Sequence, residues 1–163
     1  MKKKGVNNKY DMRGDAEMNS LYETVGLKDL RSNVSEIFNT VVNRNRQVTI
    51  GNVKKGGETA TLIATDIMDS LLSVYTFDTK ISFDEETGQY ESSVSVIGAY
   101  GCGDTEDEAI DMLLDNIIDL AEDFYRNLDI YLKINNTKEQ YPYFLRLFND
   151  LNDKASIKRI LGL

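Results

Sequence analysis

The apolar period changes twice along this chain, and a chain that does so has to mix helix and sheet. From Leu27 the residues Leu27, Leu30, Val34, Ile37, Phe38 and Val41 recur at helical spacing, which predicts a helix with one stripe facing a core. From Tyr75 the period is two. Tyr75, Phe77, Ile81 and Phe83 alternate with Thr76, Asp78, Lys80 and Ser82, the pattern of a half-buried strand. After Thr105 the period is helical again, through Ala109, Leu113, Ile117, Leu120 and Phe124. The expected fold class is α+β.

Local signals fill in the rest. "VTI" and "TATLIA" read as two short strands joined by the Gly-rich loop "GNVKKGGE". Thr65 is placed to cap a short helix carrying Ile67, Met68, Leu71 and Leu72. "DEETGQ" reads as a turn leading to a second alternating strand, "YESSVSVI", so the pair forms a hairpin. "GAYGCGD" reads as a turn-rich connector. Thr105 and Glu108 form a capping box before the strongest helix signal. "DIYLKI" is expected as a further strand. Pro142 is expected in a first helical turn, opening a region from "YFLRLFNDL" to "SIKRIL". The ranges follow: 1–20 a mobile tail, 21–72 a first module, 73–134 a second, and 135–163 a helical extension.

Composition excludes several kinds of chemistry. The chain has 163 residues and no His. It therefore lacks the usual general base, the commonest zinc ligand and any Ser-His or Cys-His nucleophile pair. The Gly-rich stretches lack the Lys and Ser/Thr spacing of a phosphate-binding loop. No catalytic residue, metal site or cofactor is expected. The single Cys102 cannot form an internal disulfide, and "MKKK" is followed by polar residues rather than an apolar run. Both point to the cytoplasm and away from a membrane. The net charge of −8 is uneven: residues 1–72 are slightly basic and residues 73–163 strongly acidic, which hints at different partners for the two halves.

On the residues "VGLKDLRSNVSEIFNTVVNRNRQVTIGNVKKGGETATLIATDIMDSLL" the first module resembles the N-terminal domain of prevent-host-death (Phd/YefM-type) antitoxins. "LRSNVSE" matches the helix motif, "QVTI" and "TATLIAT" the strands, and "DIMDSLL" the closing helix. The resemblance implies a homodimer, with higher oligomers open, that binds operator DNA and represses its own operon. Lys28, Arg31 and Ser32 on the polar side of the helix, with Lys54 and Lys55 in the hairpin loop, would make the DNA contacts. An exposed guanidinium suits phosphate and base edges because its fork bonds two acceptors. The alternative for Arg31 is a solvated helix residue paired with a carboxylate. Lys28 stands where the family usually has Ser or Thr, and Asn52 where it often has a basic residue.

The second half, "YTFDTKISFDEETGQYESSVSV" followed by "GCGDTEDEAIDMLLDNIIDL", is similar to HicB-type antitoxins, which carry a hairpin and an amphipathic helix on a partial ribonuclease-H-like core. The full expectation is thus a small Phd-like α/β dimerisation and DNA-binding module fused to a HicB-like hairpin-plus-helix domain. Such a chain would be a type II antitoxin that sequesters a cognate toxin, a ribonuclease by expectation. Asp111, Asp115, Asp119 and Glu122 would form either a solvated face or a surface for a cationic toxin. Tyr141, Tyr143, Phe144 and Phe148 would be core, or the last three toxin contacts. The metal-dependent chemistry of ribonuclease H needs converging carboxylates, which Asp78, Asp84 and Glu85 do not supply in sequence. The competing reading is a dimeric transcriptional regulator with a ligand- or protein-binding second domain and no toxin.

Overall fold

The computed structural model describes residues 24–51 and 58–163. The chain divides into two compact units, with the division between Met68 and Asp69. Lys54 and Lys55 lie outside the described residues. So does the tail expected over residues 1–20.

In the first unit, β1 (Val25–Gly26) leads into α1 (Leu27–Ser32) and α2 (Val34–Val42), followed by β2 (Val48–Gly51), β3 (Thr59–Leu62) and the first half of α3 (Thr65–Leu72), which the division crosses. The sheet order is β1-β2-β3, with β1 parallel and β3 antiparallel to β2. The single helix expected from Leu27 is two helices. Asn33 breaks it at φ −128°, and its N–H bonds back to the Asp29 and Leu30 carbonyls. Asn favours such a break because its polar side chain makes it a poor helix-interior residue. After the break, Ile37 and Val41 join Val48, Ile50 and Ala64 in a small core with Val25, Leu30 and Ile67 packed against it. Leu27, Val34 and Phe38, expected to face that core, are exposed. Thr65 is not the cap of α3 but its first residue, since Met68 N–H bonds to the Ala64 carbonyl.

The second unit is built on the antiparallel sheet β4-β5-β6, with β4 Thr79–Asp84, β5 Gln89–Val94 and β6 Ala99–Gly103. Helix α4 (Glu106–Arg126) lies against β5 and β6, and α5 (Leu128–Tyr131), α6 (Asn135–Leu147) and α7 (Lys154–Leu161) complete the core. Strand β6 corrects the reading of "GAYGCGD" as turns. Glycines at 101 and 103 normally weaken a strand, but here they admit the helix. A Cβ on Gly101 would lie 2.3 Å from the Ala109 carbonyl oxygen, and one on Gly103 2.7 Å from Ala109 N. The first hairpin strand also begins later than expected, at Thr79, leaving Tyr75 and Phe77 ahead of it.

Two further expectations fail. "DIYLKI" is not a strand: Leu128–Tyr131 is a helical turn, and no strand is formed over 129–134. Pro142 does not open a helix and sits inside α6. That helix starts at Asn135, where the Thr137 hydroxyl donates to the Tyr131 carbonyl at 2.6 Å and ties α6 to α5. Proline deprives the carbonyl four residues back of its donor. That residue, Lys138, is exposed, so water can replace the lost bond.

The capping box is formed as expected. Glu108 N–H donates to Thr105 Oγ1 at 3.3 Å, and Thr105 N–H donates to Glu108 Oε2 at 3.2 Å. Residues 135–163, expected as an extension, contribute Phe144, Leu147, Ile157 and Leu161 to the same core as Val94, Leu113 and Ile117. Among the described residues, no helix is long and apolar enough to cross a membrane. The architecture is α+β.

Candidate functional site

Lys28, Arg31 and Ser32 are all exposed on α1. Lys28 and Arg31 are three apart, so their side chains share one face of the helix. Neither pairs with a carboxylate among the described residues. Ser32 differs from them, because its hydroxyl donates to the Lys28 carbonyl at 3.1 Å. That proton is already used, and the hydroxyl offers a ligand only its lone pairs. Beside these cations lies an apolar surface that sequence reasoning assigned to the core. Val34 is 56% and Phe38 64% exposed, and Val42 and Leu62 are exposed with them. They border a groove with Leu30, Ile37 and Val41 at its floor.

The acidic stripe of α4 is less uniform than its spacing implies. Asp111 is exposed. Asp115 is bridged to Lys154 of α7 at 2.6 Å, and Glu122 pairs with Arg126 one turn on. Asp119 instead borders a cleft with Tyr100, Asn116, Leu120 and Asp123. Two of the four carboxylates therefore have a cation within the chain, which offsets the like-charge repulsion along the helix.

The aromatic residues separate in the same way. Phe144 is buried and stacks on Phe124, ring centres 4.4 Å apart. Tyr143 meets the edges of Tyr75 and Phe77 at 5.4 and 5.6 Å, and Arg146 sits over the Phe77 ring. Tyr141 also stacks near Phe124. Only Phe148 reaches an exposed ring, Tyr125, edge to face at 5.2 Å. Sequence reasoning did not single out Tyr100 or Tyr125. Tyr100 was legible in principle, because alternation along "AYGCG" puts it on the face opposite Ala99 and Gly101.

Three further acids have partners within the chain. Asp84 accepts from Glu86 N–H and from the Thr87 hydroxyl in the β4–β5 turn. Those bonds hold its carboxyl below the ordinary value of 3.8. Asp78 pairs with Lys80 at 3.5 Å. Asp123 accepts from the Tyr131 hydroxyl, and that bond raises the phenol above its ordinary value of 10.0. No group of three or more metal-ligating side chains occurs among the described residues.

The first unit thus carries exposed cations on α1, and the second a run of carboxylates along α4. The family model PHD-like, described as an antitoxin of toxin-antitoxin, RelE / RelB, TA system, matches residues 21–162. The chain belongs to this family and is an antitoxin of a toxin-antitoxin system, so it has a cognate toxin as partner. Its fold is similar to a crystal structure of the antitoxin part of a proposed toxin/antitoxin system from Syntrophomonas wolfei subsp. wolfei. The TM-score is 0.70 at 20% identity, over 85% of this chain and 95% of that one. No curated protein matches the chain.

Proposed function

We propose that this antitoxin neutralises its toxin by direct binding and represses its own operon as a homodimer on operator DNA. The observation that carries the reading is the exposed apolar face of Val34, Phe38 and Val42 on the helix next to Lys28 and Arg31. A contiguous apolar face of this kind is uncommon on a monomer and marks an interaction surface. The core of this unit is also small, with Ile37, Val41, Val48, Ile50 and Ala64 buried, and so small a unit gains much from a second copy. Joining two copies would present Lys28 and Arg31 twice, which suits a roughly palindromic site. In this reading the Phd/YefM-like first unit binds DNA. The HicB-like second unit, acidic over residues 73–163, meets a basic toxin of the ribonuclease class, and the chain acts by binding rather than by catalysis.

Two measurements test it. Light scattering gives the mass in solution, and a mobility-shift titration with the DNA upstream of the gene gives operator affinity at two salt concentrations. A dimer that binds with a steep salt dependence is expected. A monomer at micromolar concentration would remove the dimer, and equal affinity for unrelated DNA would remove the operator.

A further inference from the structure

Helix α4 is much longer than the strand it covers. Its 21 residues span about 30 Å, whereas the five residues of β6 span about 17 Å. Along the shared length α4 closes the strand's free edge. Asn116 Nδ2 donates to the Tyr100 carbonyl at 2.7 Å, and Cys102 N–H points at Met112 Sδ at 3.4 Å. Beyond Asn116 the helix overhangs the sheet, and a cleft of about 370 Å³ opens between them. Its walls are Gly98, Ala99 and Tyr100 on one side and Asp119, Leu120 and Asp123 on the other.

The lining has a definite chemistry. Tyr100 is 66% exposed, with its ring free of any stacking partner among the described residues, and Leu120 is partly exposed beside it. Asp119 and Asp123 are one turn apart on the same face of α4. Asp123 is held in place by the Tyr131 hydroxyl and by Asn127 Nδ2, the latter at 2.9 Å. Among the described residues Asp119 has no cation partner, unlike Asp115 and Glu122. An aromatic face and an aliphatic floor beside two carboxylates complement one kind of side chain. A guanidinium stacks on the ring and bonds carboxylates with its fork, while its stem covers Leu120.

We propose that this cleft between β6 and the overhang of α4 receives an arginine from the basic surface of the cognate toxin, with Tyr100 and Asp119 as its two recognition elements. The inference rests on the antitoxin reading and narrows it: of the four stripe carboxylates, Asp119 makes the contact. Asp115 and Glu122 are occupied by their own cations, and Asp111 is outside the cleft.

The test is calorimetric titration of the full chain with the purified product of the adjacent reading frame. Asp119→Asn and Tyr100→Ala should each weaken binding by about tenfold or more, the loss typical of an interface anchor. Asp111→Asn, on the same helix, should stay within about twofold, as a solvated charge does. Asp119→Asn alters no buried atom, so it decides the matter even if Tyr100→Ala melts early. Wild-type affinity for Asp119→Asn overturns the proposal while leaving the antitoxin reading in place. A wild-type chain that does not bind the neighbouring product overturns both. A change in the light-scattering mass of free Asp119→Lys would make the occupant a second copy of this chain, and would overturn the proposal too.

Discussion

Gly101 of β6 lies directly against Ala109 of α4: a methyl group on the glycine would stand 2.3 Å from the Ala109 carbonyl oxygen and 2.4 Å from Leu113 N. The same oxygen accepts from the buried hydroxyl of Ser92 at 2.7 Å. Strand and helix are thus in backbone contact. Gly101→Ala forces them apart and should destabilise the unit by about 3 kcal/mol, the upper range for overpacking a core. Ser92→Ala removes one buried hydrogen bond but leaves no donor stranded, and should cost about 1 kcal/mol. Urea denaturation followed by circular dichroism checks both. A Gly101→Ala chain as stable as wild type would mean that the helix does not sit on the strand this closely.

The helix caps give a pH dependence with a definite sign. Asp153 caps α7 by accepting from the Ser156 hydroxyl and from Ser156 and Ala155 N–H. These bonds, the Ser156 hydroxyl first, hold its carboxyl below 3.8, and Arg159 adds to the effect. A carboxyl depressed in the folded state stabilises the fold above its unfolded value. That contribution is lost as pH falls from 3.8 through the lower folded value. Denaturation midpoints measured from about pH 6 down to about pH 2 should therefore be level first and then fall. Asp153→Asn should lower the neutral-pH midpoint and flatten the acid limb. Thr105→Ala, which removes the hydroxyl that caps α4, should cost about 1 kcal/mol at neutral pH.

Phe38→Glu should separate association from folding. The side chain is 64% exposed, so a charge there is solvated in a single chain and costs little. In a dimer built on this face, the same charge would lie buried and unpaired. The expected result is a folded monomer by light scattering, with operator affinity lost because both half-sites are no longer held together. Retention of the wild-type mass would move the dimer contact elsewhere.

Arg31→Ala should abolish operator binding without altering stability. The residue is exposed on α1 and contributes to no core cluster. A bidentate base contact is worth about 1–3 kcal/mol at each half-site, so a symmetric dimer loses it twice. Denaturation midpoints and toxin binding should match wild type, while the mobility shift disappears. Unchanged affinity for the upstream DNA would exclude Arg31 from the interface.

Where a signal is local, the sequence already contained it. The capping box at Thr105 and Glu108, the hairpin around "DEETGQ" and the apolar face of α4 depend on residues a few positions apart, and all are found, except that Leu120, expected on that face, is exposed. Signals that depend on a distant neighbour misled. "GAYGCGD" looks like turns because glycine is read as a breaker, yet it is a strand whose glycines make room for Ala109 and Leu113. "DIYLKI" has strand-forming residues, but its first part closes a helical turn over Leu128–Tyr131. Pro142 was placed at a helix start, although the bond from Thr137 to Tyr131 starts that helix earlier.

The same division holds for the surfaces. Sequence alone determined the α+β class, the lack of histidine chemistry, the cationic α1 and the acidic character of the second half, because periodicity and composition are properties of the chain itself. Tertiary structure decided which apolar residues are buried and which acids are neutralised. Of the stripe after the break at Asn33, Ile37 and Val41 are buried and Val34 and Phe38 exposed, and the approach of α7 gave Asp115 a lysine, while Asp119 has no cation among the described residues. Exposure and ion pairing depend on what the fold brings alongside a residue, and no spacing along the chain encodes that.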